Sequence, residues 1–171
     1  MKVIFLILLF PSMTIFAQDS LVSHQSARFE VGLGPGLLGK DAGLSGRIAL
    51  SYINSSRGGV IRVSANEGGG FMFPKKSLYD NAILGSYVIC EGISSQVIAS
   101  AGIGSAHGSQ SNSSSLFSNK EDFGRVVGFA YEFGIASAGS TFGWALNILG
   151  NVNSKSNLSA VIISLTIGYQ K

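Results

Sequence analysis

Few residues of this sequence have the chemistry to act on a substrate, and His107 is the first to consider. It lies between Ser105 and Ser109, and a Ser hydroxyl beside a His becomes an activated nucleophile when a third group orients the imidazole. The stretch 105–118 is crowded with serine, so a Ser close to a His is expected there without any catalytic role. We therefore predict no catalytic site and keep these three residues only as candidates to test.

Five charged residues form a second candidate group, because small or apolar residues surround each of them. The group consists of Arg28, Glu30, Arg47, Arg62 and Glu132. A charge that is buried without a partner is very costly, and two acids beside three bases can pair. We expect these side chains to be structural counter-ions in a shared interior rather than acid–base catalysts.

The composition excludes several other kinds of site. The single Cys90 leaves no internal disulfide and no cysteine-based metal cluster, and no metal-ligand spacing is present. The formal net charge is +3, and no basic run is longer than Lys75-Lys76, unlike the clustered charge of a nucleic-acid-binding patch. We predict no metal, no cofactor and no nucleic-acid partner.

The first residues have the layout of a targeting segment. Lys2 precedes the apolar run 3–10, Pro11 interrupts it, and Ala17 is a small residue at a suitable cleavage point. The run is shorter than the roughly 20 residues that a membrane-spanning helix needs. The predicted division of the chain is a cleaved signal peptide at 1–17, an N-terminal lead-in at 18–26 and one folded domain at 27–171.

The rest of the chain alternates between apolar and polar residues over short segments, which is typical of antiparallel β-strands. Clusters of Gly, Ser, Asn and Asp separate the segments. In the fourth segment the alternation is ambiguous, because Leu84 and Val88 stand in the polar row. The eight predicted strands are 27–34, 44–53, 58–66, 81–90, 95–104, 123–135, 141–149 and 158–169.

The connections between these segments differ in length. The three short ones are 54–57, 91–94 and 136–140, the three long ones are 35–43, 67–80 and 105–122, and 150–157 is intermediate. Short turns at one end and long loops at the other are typical of outer-membrane barrels, and closure leaves no exposed strand edge. The predicted fold is all-β: an eight-stranded antiparallel up-and-down transmembrane β-barrel, with the short turns and both termini on the periplasmic side.

Each predicted strand has a row of apolar side chains on one face and a row of polar side chains on the other. The composition of these two rows indicates which of them faces lipid. The polar rows consist mostly of Gly, Ala, Ser and Asn, which suit the crowded interior of an eight-stranded barrel. A soluble β-surface carries more Lys, Glu and Thr. We predict that the apolar rows face lipid and that the five charges face the lumen. Arg125 falls on an apolar row and is placed at the outer rim, where facing lipid costs only about 0–1 kcal/mol.

Aromatic residues of the apolar rows cluster near the predicted periplasmic end. They are Phe29, Tyr52, Phe133, Phe142, Trp144 and Tyr169. Aromatic girdles mark the interfaces between membrane and water, so we predict a lower girdle here, with core aromatics of a soluble β-sandwich as the alternative. Phe123 is the candidate for an upper girdle, together with Phe71 and Phe73.

The chain resembles small outer-membrane β-barrel domain proteins of Gram-negative bacteria in its signal-peptide layout, its eight alternating segments and its terminal strand Leu165-Thr166-Ile167-Gly168-Tyr169. The resemblance covers essentially the whole mature chain and implies an outer-membrane location. Such proteins often end on an aromatic residue that the assembly machinery reads, whereas Gln170 and Lys171 follow Tyr169 here.

The function that we expect is non-enzymatic: a barrel with a structural or surface-binding role, with membrane lipid around it. Loops 67–80 and 105–122 are its expected contact surface for an envelope or surface partner. Lys75 and Lys76 face either solvent or lipopolysaccharide phosphates. Two alternatives stay open: a lipid-modifying enzyme in the same barrel, with His107 near the outer rim, and a soluble secreted β-barrel that binds an apolar ligand inside.

Overall fold

The computed structural model describes residues 25–69, 76–92, 94–111, 120–137 and 141–170. Within these ranges no helix is long and apolar enough to cross a membrane. The eight strands are β1 Gln25–Leu38, β2 Asp41–Asn54, β3 Arg57–Gly68, β4 Lys76–Glu91, β5 Ser95–Ser111, β6 Lys120–Ser137, β7 Phe142–Val152 and β8 Leu158–Gln170.

The strands form one closed antiparallel barrel in sequence order, with β1 paired to both β2 and β8. Phe29 shows the closure, because it pairs with Leu50 on one side and with Ile167 on the other. Both ends of the sheet are thereby hydrogen-bonded, which removes the exposed edges of an open sheet. The predicted eight-stranded up-and-down barrel is confirmed. We call the end with Gln25 and Gln170 the terminal end, and the opposite end the far end.

The alternation of side chains runs as expected for a membrane barrel. Leu165 is 75% exposed on the outside, whereas its neighbour Ser164 is 1% exposed in the lumen. The ambiguous fourth strand follows the same rule, because Leu84 and Val88 are buried in the lumen and Ile83 is 71% exposed. Apolar rows on the outside and an interior filled by side chains do not fit the soluble barrel that holds an apolar ligand inside.

The strands are longer at the far end than the sequence indicated. β5 continues to Ser111 and β6 begins at Lys120, inside the predicted loop 105–122. The predicted long connection 35–43 is wrong, since β1 and β2 are joined by a tight turn in which Gly39 has a φ of 67°. That left-handed conformation carries little cost for glycine. Beyond the apolar rows the backbone ladder continues with polar side chains, which the alternation pattern does not detect.

An apolar cluster closes the lumen at the far end. Its buried members are Leu38, Leu78, Ala106, Leu149, Leu158, Ala160 and Ile162. A second apolar cluster lies within the barrel and consists of Ala49, Val60, Ala82, Leu84 and Ala130. The barrel interior is therefore not one polar compartment but a polar layer in contact with two apolar ones.

The prediction that Phe123 belongs to an upper girdle is wrong. Phe123 packs against the apolar cluster at the far end of the lumen. The pairing of β5 with β6 shifts register there, because Ala106 pairs with Val126 while Gly108 pairs with Phe123. A bulge changes which face a side chain points to, so parity counted along β6 fails at this position. Phe71 and Phe73 lie outside the described residues.

The outward direction of the apolar rows can be tested on a single strand. Ile163 lies in the middle of β8 and is 67% exposed, and Ser159 is exposed on the same outward row near the far end. We expect Ile163→Arg to destabilise the barrel in phospholipid vesicles by about 2–4 kcal/mol and Ser159→Arg by only about 0–1 kcal/mol, because the cost of a charge depends on its depth. Denaturant titration of folding into vesicles measures both. Equal costs at the two positions would contradict the placement of this row in lipid.

Candidate functional site

A network of buried ion pairs occupies the lumen, and Arg47 is its first centre. The Arg47 guanidinium donates to Glu30 at 2.6 Å and to Glu132 at 2.5 Å, and its side chain is 1% exposed. These bonds join β2 to its neighbour β1 and, across the lumen, to β6. Because charge-assisted bonds to a carboxylate are among the strongest in proteins, Arg47 fixes the separation of three strands.

Arg62 is the second centre of the network, and it is fully buried. It donates to Asp80 at 2.6 Å and lies 3.4 Å from Glu132. It also donates to the backbone carbonyls of Tyr131 and Gly150 at 3.1 and 3.3 Å. Asp80 was not among the predicted charges, because it closed a segment that was read as loop 67–80.

Arg28 does not join either centre. Its guanidinium donates to the side-chain oxygen of Gln96 at 2.6 Å, and Gln96 in turn donates to Glu91 at 2.8 Å. Since β5 lies opposite β1 in the barrel, this chain crosses the lumen near the terminal end. The five predicted charges are thus inside the barrel, but they form two separate groups.

Amide side chains complete the bonding of the buried acids. Asn151 donates to Asp80 at 2.5 Å, and Asn147 makes a longer contact of 3.5 Å with Glu30. The arrangement follows the requirement that buried charges be paired and hydrogen-bonded. Below Arg47, a cavity of about 20 Å³ is lined by Glu30, Glu132 and Asn147 among others. A cavity of that size accommodates about one water molecule.

His107 lies on the outside of the barrel and not in the lumen. Its ring stacks on that of Tyr79, with ring centroids 5.3 Å apart and an interplanar angle of 22°. The Ser109 hydroxyl is hydrogen-bonded to Ser77 at 2.9 Å. No hydrogen bond between described side chains joins His107 to Ser105 or Ser109, so the contacts of an activated serine are missing here.

The surroundings of His107 form a polar strip on the outer wall. Its residues pair across β4 and β5, as Asn81 with Ser105, Tyr79 with His107, and Ser77 with Ser109. We call these six residues the β4–β5 polar face. Arg125 is exposed on the adjacent strand, in the bulge opposite His107. Sequence reasoning missed this face, because its small polar residues were read as loop.

The described aromatic residues of the predicted girdle all lie outside the barrel near the terminal end. Those with exposed side chains are Phe29, Tyr52, Phe133, Phe142 and Trp144. Tyr169 pairs through its backbone with Ala27, at the same end. This placement gives the terminal end a band of aromatic surface, and its position at a membrane interface is part of the proposal below.

The remaining sequence predictions fall into two groups. Lys76 is half-buried and bridges to Asp41 at 2.9 Å, so its charge is already partnered. The segments 1–24, 70–75 and 112–119 lie outside the described residues, and with them the predicted signal peptide, Lys75 and parts of both contact loops. Among the described residues no group of three or more His, Cys, Asp and Glu side chains is placed to hold a metal ion.

The contribution of the ion network to stability can be measured at Arg47. Replacing Arg47 with Met leaves Glu30 and Glu132 buried without their shared partner, so we expect a loss of about 3–5 kcal/mol of unfolding free energy. The matched control is Arg57→Met at the exposed turn of the terminal end, which should change stability by no more than about 0.5 kcal/mol. Denaturant unfolding in detergent micelles gives both values. A loss as small in Arg47→Met as in the control would show that the network does not stabilise the barrel.

Comparison with known proteins adds evidence on the fold. No family model matches the chain, and no curated protein matches it. The solved structures that share its architecture include the following three. They are the Neisserial surface protein A, NspA (10% identity, TM-score 0.61, 84% of this chain and 96% of that one); Ail of Yersinia pestis in complex with the heparin analogue sucrose octasulfate (12%, 0.61, 86% and 100%); and the N-terminal β-barrel domain of Pseudomonas aeruginosa OprF (14%, 0.54, 84% and 97%).

At these identities the similarity concerns the fold and nothing beyond it. The barrel described above spans nearly the full length of each of the three structures. The closed eight-stranded sheet, the outward apolar rows and the polar lumen agree with that likeness. The chain has the fold of the small eight-stranded outer-membrane β-barrels.

Proposed function

We propose that the protein is an outer-membrane barrel, exported through the signal peptide 1–17, that conducts nothing and offers its far end for binding. The far end then faces outward, and the aromatic band of the terminal end lies at the periplasmic interface. The role is structural or surface-binding and not enzymatic. The observation that carries this proposal is the β4–β5 polar face, because five of its six residues belong to the predicted contact segments 67–80 and 105–122 and stand there on ordered strands.

The packing of the lumen supports a role other than transport of solutes. The apolar cluster at the far end includes Leu38, Leu78 and Leu158, each no more than 2% exposed. Below it, Arg47 of β2 and Arg62 of β3 both reach Glu132 of β6 across the lumen. Eight strands enclose just enough room for side chains, and here side chains fill that room.

The polar face supports a binding role, because lipid tails cannot form hydrogen bonds with its side chains. Tyr79 is 48% exposed, and His107 is exposed beside it. The six residues of the polar face donate or accept hydrogen bonds on the outer surface of β4 and β5. Their backbone is held rigid by the β4–β5 ladder. A partner that docks on this part of segments 67–80 and 105–122 would meet ordered strands, so less conformational entropy is lost on binding.

A sulfated partner such as the heparin analogue bound to Ail is not favoured for this chain. Recognition of a polysulfated ligand requires a concentration of positive charge. On the side of the polar face, Glu67 and Asp122 are exposed together with the base Arg125, and Lys76 is bridged to Asp41. The polar face itself consists of three serines, one asparagine, one tyrosine and one histidine, without Lys or Arg. We therefore favour a partner recognised through hydrogen bonds and aromatic contacts.

The orientation can be tested with a matched pair of cysteine variants. In a Cys90→Ser background, Ser154→Cys labels the far end and Ser94→Cys labels a turn of the terminal end, and both serines are exposed. A membrane-impermeant maleimide should label the first variant on intact cells and the second only after permeabilisation. The protein should also require detergent for extraction and should shift in gel mobility on boiling. Labelling in the reverse order would invert the proposed orientation, and extraction by salt alone would contradict membrane insertion.

The alternative of a lipid-modifying enzyme rests on His107 and is tested separately. Since none of the hydrogen bonds among the described residues activates a serine beside His107, we expect His107→Ala to leave the composition of outer-membrane lipids equal to that of the wild type. Mass spectrometry of extracted lipids measures this, with a strain that lacks the protein as the reference. If the wild type and the deletion strain differ and His107→Ala resembles the deletion, the protein is an enzyme and the non-enzymatic proposal fails.

A further inference from the structure

The apolar outer wall reaches the far end on one side of the barrel only. On β1 the outward row ends with Leu37, which is 49% exposed and is the next-to-last residue of the strand. On β7 it ends with Val152, which is 50% exposed and is the last residue. On this side the surface that suits hydrocarbon continues up to the connections themselves.

On the opposite side the apolar wall stops lower. The last outward aliphatic residues are Ile83 on β4 and Ile103 on β5, and the β4–β5 polar face follows above them. Because β4 continues to Lys76 beyond Ile83, the apolar row there ends seven residues before the end of the strand, compared with one residue on β1.

On the side where the apolar wall extends to the connections, a lysine follows the last outward apolar residue of each of the two strands. Lys40 is the first charged residue after Leu37, and Lys155 is the first after Val152. Both are exposed, and neither forms an ion pair with a described residue. Lys76, in contrast, is bridged to Asp41. Each lysine stands three residues beyond the last outward apolar residue of its strand, and a long lysine side chain there can extend its ammonium group to the lipid headgroups.

The backbone that carries these lysines is fixed from inside the barrel. The Gly39 N–H donates to the Asn157 carbonyl at 2.8 Å, which joins the β1–β2 turn to the β7–β8 connection. The Asn153 side chain accepts from the backbone N–H groups of Lys155 and Ser156 at 2.9 and 2.8 Å. Asn153 also donates to Asn151 at 3.3 Å.

The last link runs into the lumen, since Asn151 donates to Asp80, the partner of Arg62. The turn with Lys40 and the connection with Lys155 therefore form one ordered platform anchored in the ion network. A platform that is ordered before it binds loses little entropy on binding. Only the two lysine side chains remain to be immobilised.

We propose that Lys40 and Lys155 together bind the phosphate groups of a phosphorylated glycolipid in the outer leaflet. A lysine ammonium acts as a point charge toward phosphate, and a basic residue near a charged membrane surface contributes about 1 kcal/mol. The occupant is membrane lipid because both lysines adjoin the apolar wall. The inference rests on the proposed outer-membrane location, and it is separate from the surface partner of the polar face.

The test measures binding of lipid A, a phosphorylated glucosamine lipid, to the purified full-length mature barrel in detergent micelles by calorimetry. Loss of two lysines at about 1 kcal/mol each corresponds to roughly 10–30-fold weaker binding, which we expect for Lys40→Gln/Lys155→Gln. Lys40→Arg/Lys155→Arg should bind like the wild type. Lipid A without its phosphates should bind the wild type as weakly as phosphorylated lipid A binds the Gln variant.

The matched control removes two other exposed bases, in Arg57→Gln/Arg125→Gln, and should bind lipid A like the wild type. Equal weakening in this control would show a general charge effect and overturn the proposal, as would unchanged binding in Lys40→Gln/Lys155→Gln. Circular dichroism and the heat-dependent gel shift establish that every variant is folded. A correctly inserted barrel with no lysine-dependent lipid binding would refute this inference alone, whereas failure to insert would refute the proposed location.

Discussion

The interaction on which the barrel depends is the pairing of charges inside a lumen that has almost no room for water. Arg47 and Arg62 bind Glu30, Asp80 and Glu132, so that the ion pairs connect five strands. Because each carboxylate would be very costly to bury alone, the register of β1, β2, β3, β4 and β6 is constrained at once. A shift by one residue in any of these strands would turn a charge into the lipid and an apolar residue into the lumen.

The same network also reaches the far end. Asp80 connects Arg62 to Asn151, and Asn151 connects through Asn153 to the β7–β8 connection. An interior that seals the barrel thus also determines the shape of part of its outer surface. The apolar cluster alone would close the lumen. The polar residues beside it have the further role of ordering the far end. Filling the lumen and ordering the far end are two results of one set of hydrogen bonds.

The alternation of the sequence was sufficient to predict the barrel, its strand order and the outward rows, because period two is imposed by the pleat itself. It was not sufficient at the far end, where Ser77, His107 and Ser109 continue strands without an apolar row. It also could not place Asp80 or Phe123, since the first required knowing that β4 begins at Lys76 and the second depends on a bulge. The local alternation of residues determines which face of a strand each side chain occupies. The positions of strand ends and bulges depend instead on contacts between strands.

The outer wall of the barrel is not uniform around its circumference, and this is the property that links the fold to its surroundings. Where the wall is apolar up to Leu37 and Val152, contact with lipid avoids the free-energy cost of exposing apolar surface to water. Where the β4–β5 polar face begins above Ile83, lipid would leave hydrogen-bonding groups unsatisfied, at a cost that water or a protein partner avoids. The two sides therefore favour different neighbours.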